Sequence, residues 1–287
     1  MSGDGSGLLV TPAWVEERLG RDGFRVIDAG VRFETKPVGA STIHSLRDDW
    51  LKGHIPGAAW LHMVDDLSDP DGAYPFTIAP QAQIDRLMSS IGIRPDDTIV
   101  VYGGGTPFAV ARAWWVLSVS GCRDVRIMDG GWARWTAERR PVATGEESFE
   151  PSEFRGVRDD NAIAGRADIA AAIDDSTQIV NALAPAQHTG TGGTHYGRPG
   201  RIPGSVNIPA MQLQDPQTGD FASMADIRKA AEAVDPDRPV ITYCGGGIAA
   251  ASTLFALKLA GFEKLRLYDN SLLEWSADPD LPMERDG

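Results

Sequence analysis

An internal repeat is the feature of this sequence that most restricts its fold. The segment LSVSGCRDVRIMDGGWARW at 117–135 aligns without a gap on LKLAGFEKLRLYDNSLLEW at 257–275. Three upstream blocks repeat in the same order: RVIDA at 25–29 with QIVNA at 178–182, GHIPGA at 53–58 with GRIPGS at 200–205, and IVVYGGG at 99–105 with VITYCGGG at 240–247. Four matched blocks in one order predict two copies of a single domain.

Each copy alternates short apolar segments with helical ones, such as TPAWVEERLG and PQAQIDRLMSSIG in the first copy. This alternation predicts α/β domains, each with a mainly parallel sheet flanked by helices. A polar, acidic and weakly periodic stretch, which contains PVATGEESFEPSEF, separates the copies and is typical of a linker. We therefore expect a first domain at 8–145, a linker at 146–160 and a second domain at 161–285.

Length and charge exclude several classes of protein. A chain of 287 residues is long enough for two domains, and a net charge of −13 argues against a nucleic-acid or anionic-membrane partner. Two cysteines cannot build a disulfide framework, and with five scattered histidines they suggest no zinc site, so we expect no metal or organic cofactor. The first seven residues lack the charged and apolar regions of a signal peptide. We expect a cytoplasmic, reduced protein with a frayed N-terminus.

Cys244 occupies a junction that suggests chemistry. Val240–Tyr243 is predicted to be a short buried strand, and 249–259 a helix that stops at Gly261. A thiol at this point faces backbone N–H groups without intrahelical partners and the positive end of the helix dipole, which favours the thiolate.

The glycines after Cys244 leave two interpretations open. Because Gly245, Gly246 and Gly247 lack Cβ atoms, the backbone can curl with its amides pointing inward around an anion. Cys244 is then a nucleophilic or sulfur-carrying residue among amides. Alternatively, it is a small buried hydrophobe beside a tight strand-to-helix turn.

The first copy has no thiol at the matching point, where Tyr102 is followed by glycines at 103–105. This difference predicts one working domain and one supporting domain. Phe108 stands where the second copy has its open loop, and we interpret it as filling a vestigial pocket. The second cysteine, Cys122, matches Phe262 in the repeat, so we predict that it is a core residue.

Several blocks of the chain resemble the tandem-domain rhodanese sulfurtransferases, a group that includes thiosulfate and 3-mercaptopyruvate sulfurtransferases. These blocks are VIDA, GHIPGA, VVY, RAWW and GGW in the first half, and GRIPGSVNIP, ITYCGGG and LYDNSLLEW in the second. The resemblance spans about 8–284. It implies two tandem rhodanese-like domains, a silent N-terminal one and a C-terminal one whose Cys244 accepts a sulfane sulfur and passes it to a thiol or cyanide. The residues expected to hold this sulfur are Gly245, Gly246, Gly247, Ile248 and Ala249.

The positions that bind the donor in this family depart from the family pattern. Leu183 and Gln187 stand where basic residues are usual, and the Tyr74-Pro75-Phe76-Thr77 segment lacks the usual histidine. We keep Leu183 as a substrate-binding position. On the nearby glycine-rich loop, His195, Arg198 and Arg201 either compensate as donor-binding residues or are solvated loop residues. We expect weak activity with thiosulfate and mercaptopyruvate, and a better donor that is less charged or presented by a protein.

Two other functions compete with sulfur transfer. A cysteine phosphatase needs an arginine six residues after its cysteine, and that position is Ala250, so phosphatase activity is not expected. A sulfur carrier or binding module without turnover remains an alternative, since the missing basic residues weaken the case for small donors. A protein sulfur acceptor is a further alternative partner.

Overall fold

The computed structural model describes residues 7–286. The predicted frayed terminus, residues 1–7, therefore lies outside the described residues except for Gly7. Within the described range, no helix combines the length and apolar character needed to cross a membrane.

The first half of the chain forms one parallel sheet and one hairpin. Its strands are β1 (Leu9–Val10), β2 (Phe24–Asp28), β3 (Val31–Glu34), β4 (Thr42–Ser45), β5 (Ala58–Trp60), β6 (Thr98–Tyr102) and β7 (Asp124–Met128). The parallel sheet has the order β1-β7-β6-β2-β5, while β3 and β4 pair as an antiparallel hairpin outside it.

The second half repeats the sheet of the first. Its strands are β8 (Ile163–Ala164), β9 (Gln178–Asn181), β10 (Val206–Asn207), β11 (Val240–Tyr243) and β12 (Leu265–Tyr268), in the order β8-β12-β11-β9-β10. All of these pairs are parallel. Because β11 takes the central place that β6 takes in the first sheet, the predicted fold of two α/β domains with parallel sheets is confirmed.

Ten α-helices flank the two sheets in the part of the chain that the structure describes. They are α1 (Pro12–Glu16), α2 (Arg47–Lys52), α3 (Gln81–Ser90), α4 (Val110–Val119), α5 (Gly131–Ala137), α6 (Arg166–Ile173), α7 (Pro185–Thr189), α8 (Met224–Ala230), α9 (Ile248–Leu259) and α10 (Ser271–Trp275). Residues 146–159, most of the expected linker, contain no helix or strand. The exact domain bounds stay a prediction.

Helices α4 and α9 join the two halves. Nearly all residues of both helices are buried, and helices that are apolar on all sides require apolar neighbours on all sides. Each packs on its own half of the molecule and against the other helix, and the rings of Trp114 and Phe255 meet edge to face with centroids 4.8 Å apart. One apolar core therefore runs through both halves and fixes the position of α9.

Candidate active site

Cys244 lies between β11 and α9, at the carboxyl end of a central parallel strand, where ligands bind in open α/β sheets. Its side chain is 3% exposed and adjoins a cavity of about 220 Å³. The strand ends at Tyr243, as the sequence predicts. The helix begins at Ile248, so residues 245–247 form the turn between them.

Helix α10 holds the backbone at Cys244. The Cys244 N–H donates to Oγ of Ser271 at 3.0 Å, and the Cys244 carbonyl accepts from the Leu272 N–H at 3.2 Å. The Gly245 carbonyl accepts from the Leu273 N–H at 2.9 Å. Ser271 has a φ of +52°, a left-handed conformation that is rare for serine. These hydrogen bonds hold the backbone that carries the Cys244 side chain in one position relative to α10.

The glycines after Cys244 are required for two different reasons. Gly247 has a φ of +79°, and a Cβ there would lie 2.5 Å from the Asp269 carbonyl oxygen. A Cβ on Gly245 would instead fall within the ring of Tyr196, 2.0 Å from Cζ. The sequence pattern suggested backbone freedom throughout, whereas the structure requires positive φ only at Gly247 and close packing at Gly245.

Backbone N–H groups at residues 245–249 have no acceptor among the described residues. They precede or begin α9, a helix of 12 residues whose N-terminus carries the positive end of its dipole. Such N–H groups stabilise a negative charge placed among them. Their role in holding sulfur beside Cys244 stays a prediction.

Three phenylalanines from the first half form one wall of the cavity. Phe33 comes from hairpin strand β3, and its ring meets Phe108 edge to face with centroids 5.3 Å apart. Phe76 lies across the turn, because a Cβ on Gly246 would come within 3.1 Å of its ring. The interpretation of Phe108 as a plug in the first domain is wrong, since this ring lines the cavity at Cys244.

The second half supplies the opposite wall. Its members are small, apolar or uncharged: Ala182, Leu183, Ala184, Gln187, Thr194, Tyr196, Ala210, Met211, Ile248 and Ala249. No side chain that lines this cavity in the described chain carries a formal charge, apart from the Cys244 thiolate when it forms. The cavity is thus apolar with a few neutral polar groups.

Tyr196 is a site residue that sequence reasoning missed. Its ring covers Gly245, and it lines the cavity together with Gln187. Burial, and then the nearby Cys244 thiolate, raise the pKa of this phenol above its ordinary value, so it stays protonated at neutral pH. A single aromatic residue in a glycine-rich loop is not distinctive in the sequence.

Arg198 does not reach the cavity, contrary to one of the two interpretations. Its guanidinium donates to the carbonyl oxygens of Ser276, Leu281, Trp275 and Asp278 at 2.5–3.3 Å. All its nitrogens are occupied by the segment that follows α10. This arginine is a structural residue, because it satisfies carbonyl groups that the chain end would leave without donors.

Arg201 and His195 also lie outside the cavity lining. Arg201 pairs with Glu284 at 2.6 Å and Asp286 at 2.9 Å. The Nδ1 atom of His195 is 2.7 Å from the Gly197 carbonyl oxygen, and its backbone pairs with the loop of the β3–β4 hairpin. Neither of the alternatives from the sequence describes Arg201 fully, since it is neither solvated nor directed at the cavity. Of the predicted residues, Leu183, Gly246, Ile248 and Ala249 line the cavity with Cys244.

An ion pair between the two halves lies behind the turn. Arg112 of α4 is 1% exposed, and its Nη2 lies 2.7 Å from Oδ1 of Asp269. The same nitrogen donates to the Phe76 carbonyl at 2.5 Å. The other Asp269 oxygen accepts from the Ile78 N–H at 2.7 Å. The pair therefore ties the segment that carries Phe76 to the element that supports the Cys244 turn.

Cys122 is buried in the apolar core, as predicted. Burial, with a smaller contribution from nearby carboxylates, raises the pKa of its thiol to about 12. The thiolate is the reactive form of cysteine, so Cys122 is unreactive at neutral pH. Within residues 7–286, no three histidine, cysteine or carboxylate side chains come together as a metal site requires.

Gly103 occupies in the first half the position of Cys244. Its carbonyl accepts from the Trp132 N–H, as the Cys244 carbonyl accepts from Leu272. The glycines at 103–105 line a cavity of about 110 Å³, which a loop of the second half, Gln214 and residues 216–219, also lines. The first half therefore presents no thiol at this point and a cavity of half the volume of that at Cys244.

Comparison with known proteins places both halves in one family. The family described as rhodanese-like domain matches residues 11–138 and 167–278. The chain is 31% identical to a probable 3-mercaptopyruvate sulfurtransferase of Pseudomonas aeruginosa, over 97% of this chain and 98% of that protein. It is 30% identical to a thiosulfate sulfurtransferase of Corynebacterium glutamicum, over 96% of this chain and 90% of that protein.

A solved structure agrees with these similarities. The crystal structure of SseA from Escherichia coli, described under the rhodanese fold and catalytic mechanism of 3-mercaptopyruvate sulfotransferases, superimposes with a TM-score of 0.80 at 26% identity, covering 92% of this chain and 98% of that one. The sequence-based identification is confirmed: the chain belongs to the rhodanese family, as a tandem-domain sulfurtransferase.

Proposed function

We propose that the protein moves a sulfane sulfur from a donor to a thiol or cyanide acceptor through a persulfide on Cys244. The observation that carries the proposal is the position of the Cys244 thiol, at a cavity and beside backbone N–H groups that have no acceptor in the described part of the chain. The similarity to named sulfurtransferases supports the same reaction.

The first half-reaction loads the cysteine. The Cys244 thiolate attacks the sulfane sulfur of the donor, a new S–S bond forms at Sγ, and the bond to the rest of the donor breaks. The leaving group departs with the electron pair of that bond. The N–H groups of residues 245–249 stabilise the negative charge on sulfur.

The second half-reaction returns the free cysteine. An acceptor thiolate or cyanide attacks the outer sulfur, and Sγ leaves as the thiolate that began the cycle. The N–H groups that stabilised the persulfide stabilise this thiolate as well. The first domain takes no part in the bond changes, and its three phenylalanines exclude water from the reacting sulfur.

A sulfur carrier without turnover is the second candidate. The observation that favours it is that none of the described residues lining the cavity has a charged side chain, because small anionic donors then have no ionic partner there. A protein acceptor fits such a carrier. We place either function in the cytoplasm, because both cysteines of the described chain are free and buried.

Mass spectrometry of the intact protein, together with steady-state turnover, tests the proposal. After exposure to a sulfane donor, we expect wild type and Cys122→Ser to gain one sulfur atom and to lose it to a thiol acceptor. Cys244→Ser should gain none and should unfold at the same temperature as wild type. A persulfide without turnover supports the carrier, whereas loading of Cys244→Ser contradicts both candidates.

A further inference from the structure

We propose that the donor of this sulfurtransferase is an organic hydropersulfide, R–S–SH, whose organic group R is uncharged and apolar. The inference rests on the proposed function of Cys244. It adds the chemical class of the molecule that enters the cavity.

The first argument is the chemistry of the cavity lining. The apolar side chains that line the cavity include Phe76 and Phe108 on one wall and Leu183 and Met211 on the other. Polar atoms come from Thr35, Ser41, Gln187, Thr194 and Tyr196, all of which are neutral. A carboxylate or sulfonate that enters this space loses its hydrating water without gaining an ionic partner, which costs free energy. An apolar group does not incur this desolvation cost.

The second argument is that the three arginines nearest to the turn in the sequence analysis and the structure hold other partners. Arg198 donates to four backbone carbonyls, and Arg201 is paired with two carboxylates. Arg112 is buried behind the turn and lies outside the cavity lining. Its Nη2 is paired with Asp269 at 2.7 Å, whereas its Nη1 lies beside Gly247 and has no hydrogen-bond partner among the described residues. None of the three can turn to a donor without leaving its partners unsatisfied.

The third argument is size and shape. A cavity of about 220 Å³ has the volume of roughly seven liquid water molecules, which suits one phenyl-sized group with its sulfur atoms. Phe33 and Phe108 already meet edge to face there, and a further ring can add to that arrangement. Met211 is 60% exposed at the same cavity and offers a polarizable thioether to an aromatic group.

The loading step is balanced without an oxidant. The Cys244 thiolate attacks the terminal sulfur of R–S–SH, the Cys244–S bond forms, and the bond between the two donor sulfurs breaks. The organic thiolate R–S⁻ leaves with the electron pair and takes a proton from water. One sulfur–sulfur bond is lost and one is made, so no net oxidation or reduction occurs.

A matched pair of donors tests the inference on the full-length protein. Benzyl hydropersulfide and 4-carboxybenzyl hydropersulfide differ only in a carboxylate remote from sulfur. We expect Cys244 to load at least about tenfold faster from the uncharged member, with loading followed by mass in a single turnover. Both rates are divided by the rate of each donor with a free cysteine derivative, which removes any difference in intrinsic reactivity.

Position 183 provides the matched variants. Leu183→Arg should shift the ratio of the two loading rates toward the carboxylated donor by about tenfold or more, because it places a cation in the wall. Leu183→Met keeps the wall apolar and should leave the ratio unchanged. If Leu183→Arg does not fold, the wild-type ratio still decides the matter.

The outcomes separate this inference from the proposed function. Equal loading, or faster loading from the carboxylated donor, overturns the uncharged donor while Cys244 remains a sulfur acceptor. Failure of Cys244 to load from these two donors and from thiosulfate overturns the proposed function itself. Loading from thiosulfate alone also overturns the inference and leaves the function standing.

Discussion

Cys122 and Cys244 are each 3% exposed, yet their surroundings differ. Cys122 is surrounded by core side chains, with the carboxylates of Asp85 and Asp97 close enough to raise the pKa of its thiol further. Cys244 follows a central strand and precedes backbone N–H groups that have no acceptor in the described chain. At the scale of single residues, the neighbouring backbone distinguishes the thiol that we propose to react from the inert one, and exposure does not.

Gly247 provides a direct test of the turn. Gly247→Ala forces a Cβ to within 2.5 Å of the Asp269 carbonyl oxygen and 2.9 Å of Arg112 Nη1. We expect at least a tenfold loss of kcat/KM, because displacement of reacting groups by about 1 Å has effects of this order or larger. Gly204→Ala is the control, since Gly204 has a φ of +72° with no atom within 4 Å of a new Cβ. Equal activity of the two variants would show that crowding at Gly247 does not position the turn.

Asp28 allows a test by pH, because burial raises the pKa of its carboxyl from 3.8 to about 6. Between these values the folded chain holds a proton that the unfolded chain releases. The contribution of Asp28 to stability is therefore complete below about pH 4 and is lost as the pH rises through about 6. Asp28→Asn should raise the free energy of unfolding by about 1–3 kcal/mol near pH 7 and by little near pH 4.

Urea denaturation at both pH values measures this effect. Asn181 shows that an amide fits the repeated position, because its Oδ1 accepts from the Leu183 N–H as Asp28 Oδ1 accepts from the Gly30 N–H. The same gain at both pH values would mean that ionisation of Asp28 is not its cause.

At the scale of elements, the Arg112–Asp269 pair explains an unusual backbone in the cavity wall. Phe76 has a φ of +70°, a conformation that costs about 1–3 kcal/mol for a residue with a side chain. Its carbonyl accepts from Arg112, and Ile78 donates to Asp269. Helix α4 and the loop between β12 and α10 therefore hold Phe76 in place over the turn.

Breaking this pair should affect both stability and transfer. Arg112→Met leaves Asp269 buried without its cation, so we expect the free energy of unfolding to fall by about 3–5 kcal/mol. The double variant Arg112→Met/Asp269→Asn should regain much of this stability. It should still transfer sulfur slowly, because Phe76 has lost its donor. Chemical denaturation and steady-state kinetics on the same samples measure the two effects.

An exposed pair serves as the control for the Arg112 variants. Arg47 and Glu146 form an ion pair whose side chains are 45% and 62% exposed. Arg47→Met should change the free energy of unfolding by less than about 1 kcal/mol. An Arg112→Met protein as stable as Arg47→Met would contradict the role given to the buried pair.

The limits of prediction from sequence are clearest at this scale. The repeat aligned Gly103 with Cys244, and the two parallel sheets have the same strand order, which agrees with that alignment. This part of the fold was predictable because the repeated blocks that form the strands are visible in the sequence. Local patterns carry no information on how two domains dock, so the assignment of Phe108 to its own domain was wrong. Arg198 was considered as a donor-binding residue because its hydrogen-bond acceptors cannot be recognised from the local sequence. These acceptors are backbone carbonyls about 80 residues further along the chain.

For the whole molecule, the shared core predicts cooperative unfolding. Trp114 and Phe255 come from different halves and belong to the same apolar cluster. Separation of the halves would expose both helices, so neither half has a complete core alone. We expect one transition on heating, with tryptophan fluorescence and far-ultraviolet circular dichroism giving the same midpoint. Two resolved transitions in calorimetry would show that the halves unfold independently.

The crowded glycine turn of the first half limits how the chain can change. A Cβ at Gly103 would lie 2.7 Å from the Gly30 Cα and 3.0 Å from Val110 Cγ2, so the single change Gly103→Cys has no space for its sulfur. A thiol at this position therefore requires coordinated changes at Gly30 and Val110 as well, so one substitution cannot convert the first copy into a second sulfur-carrying domain.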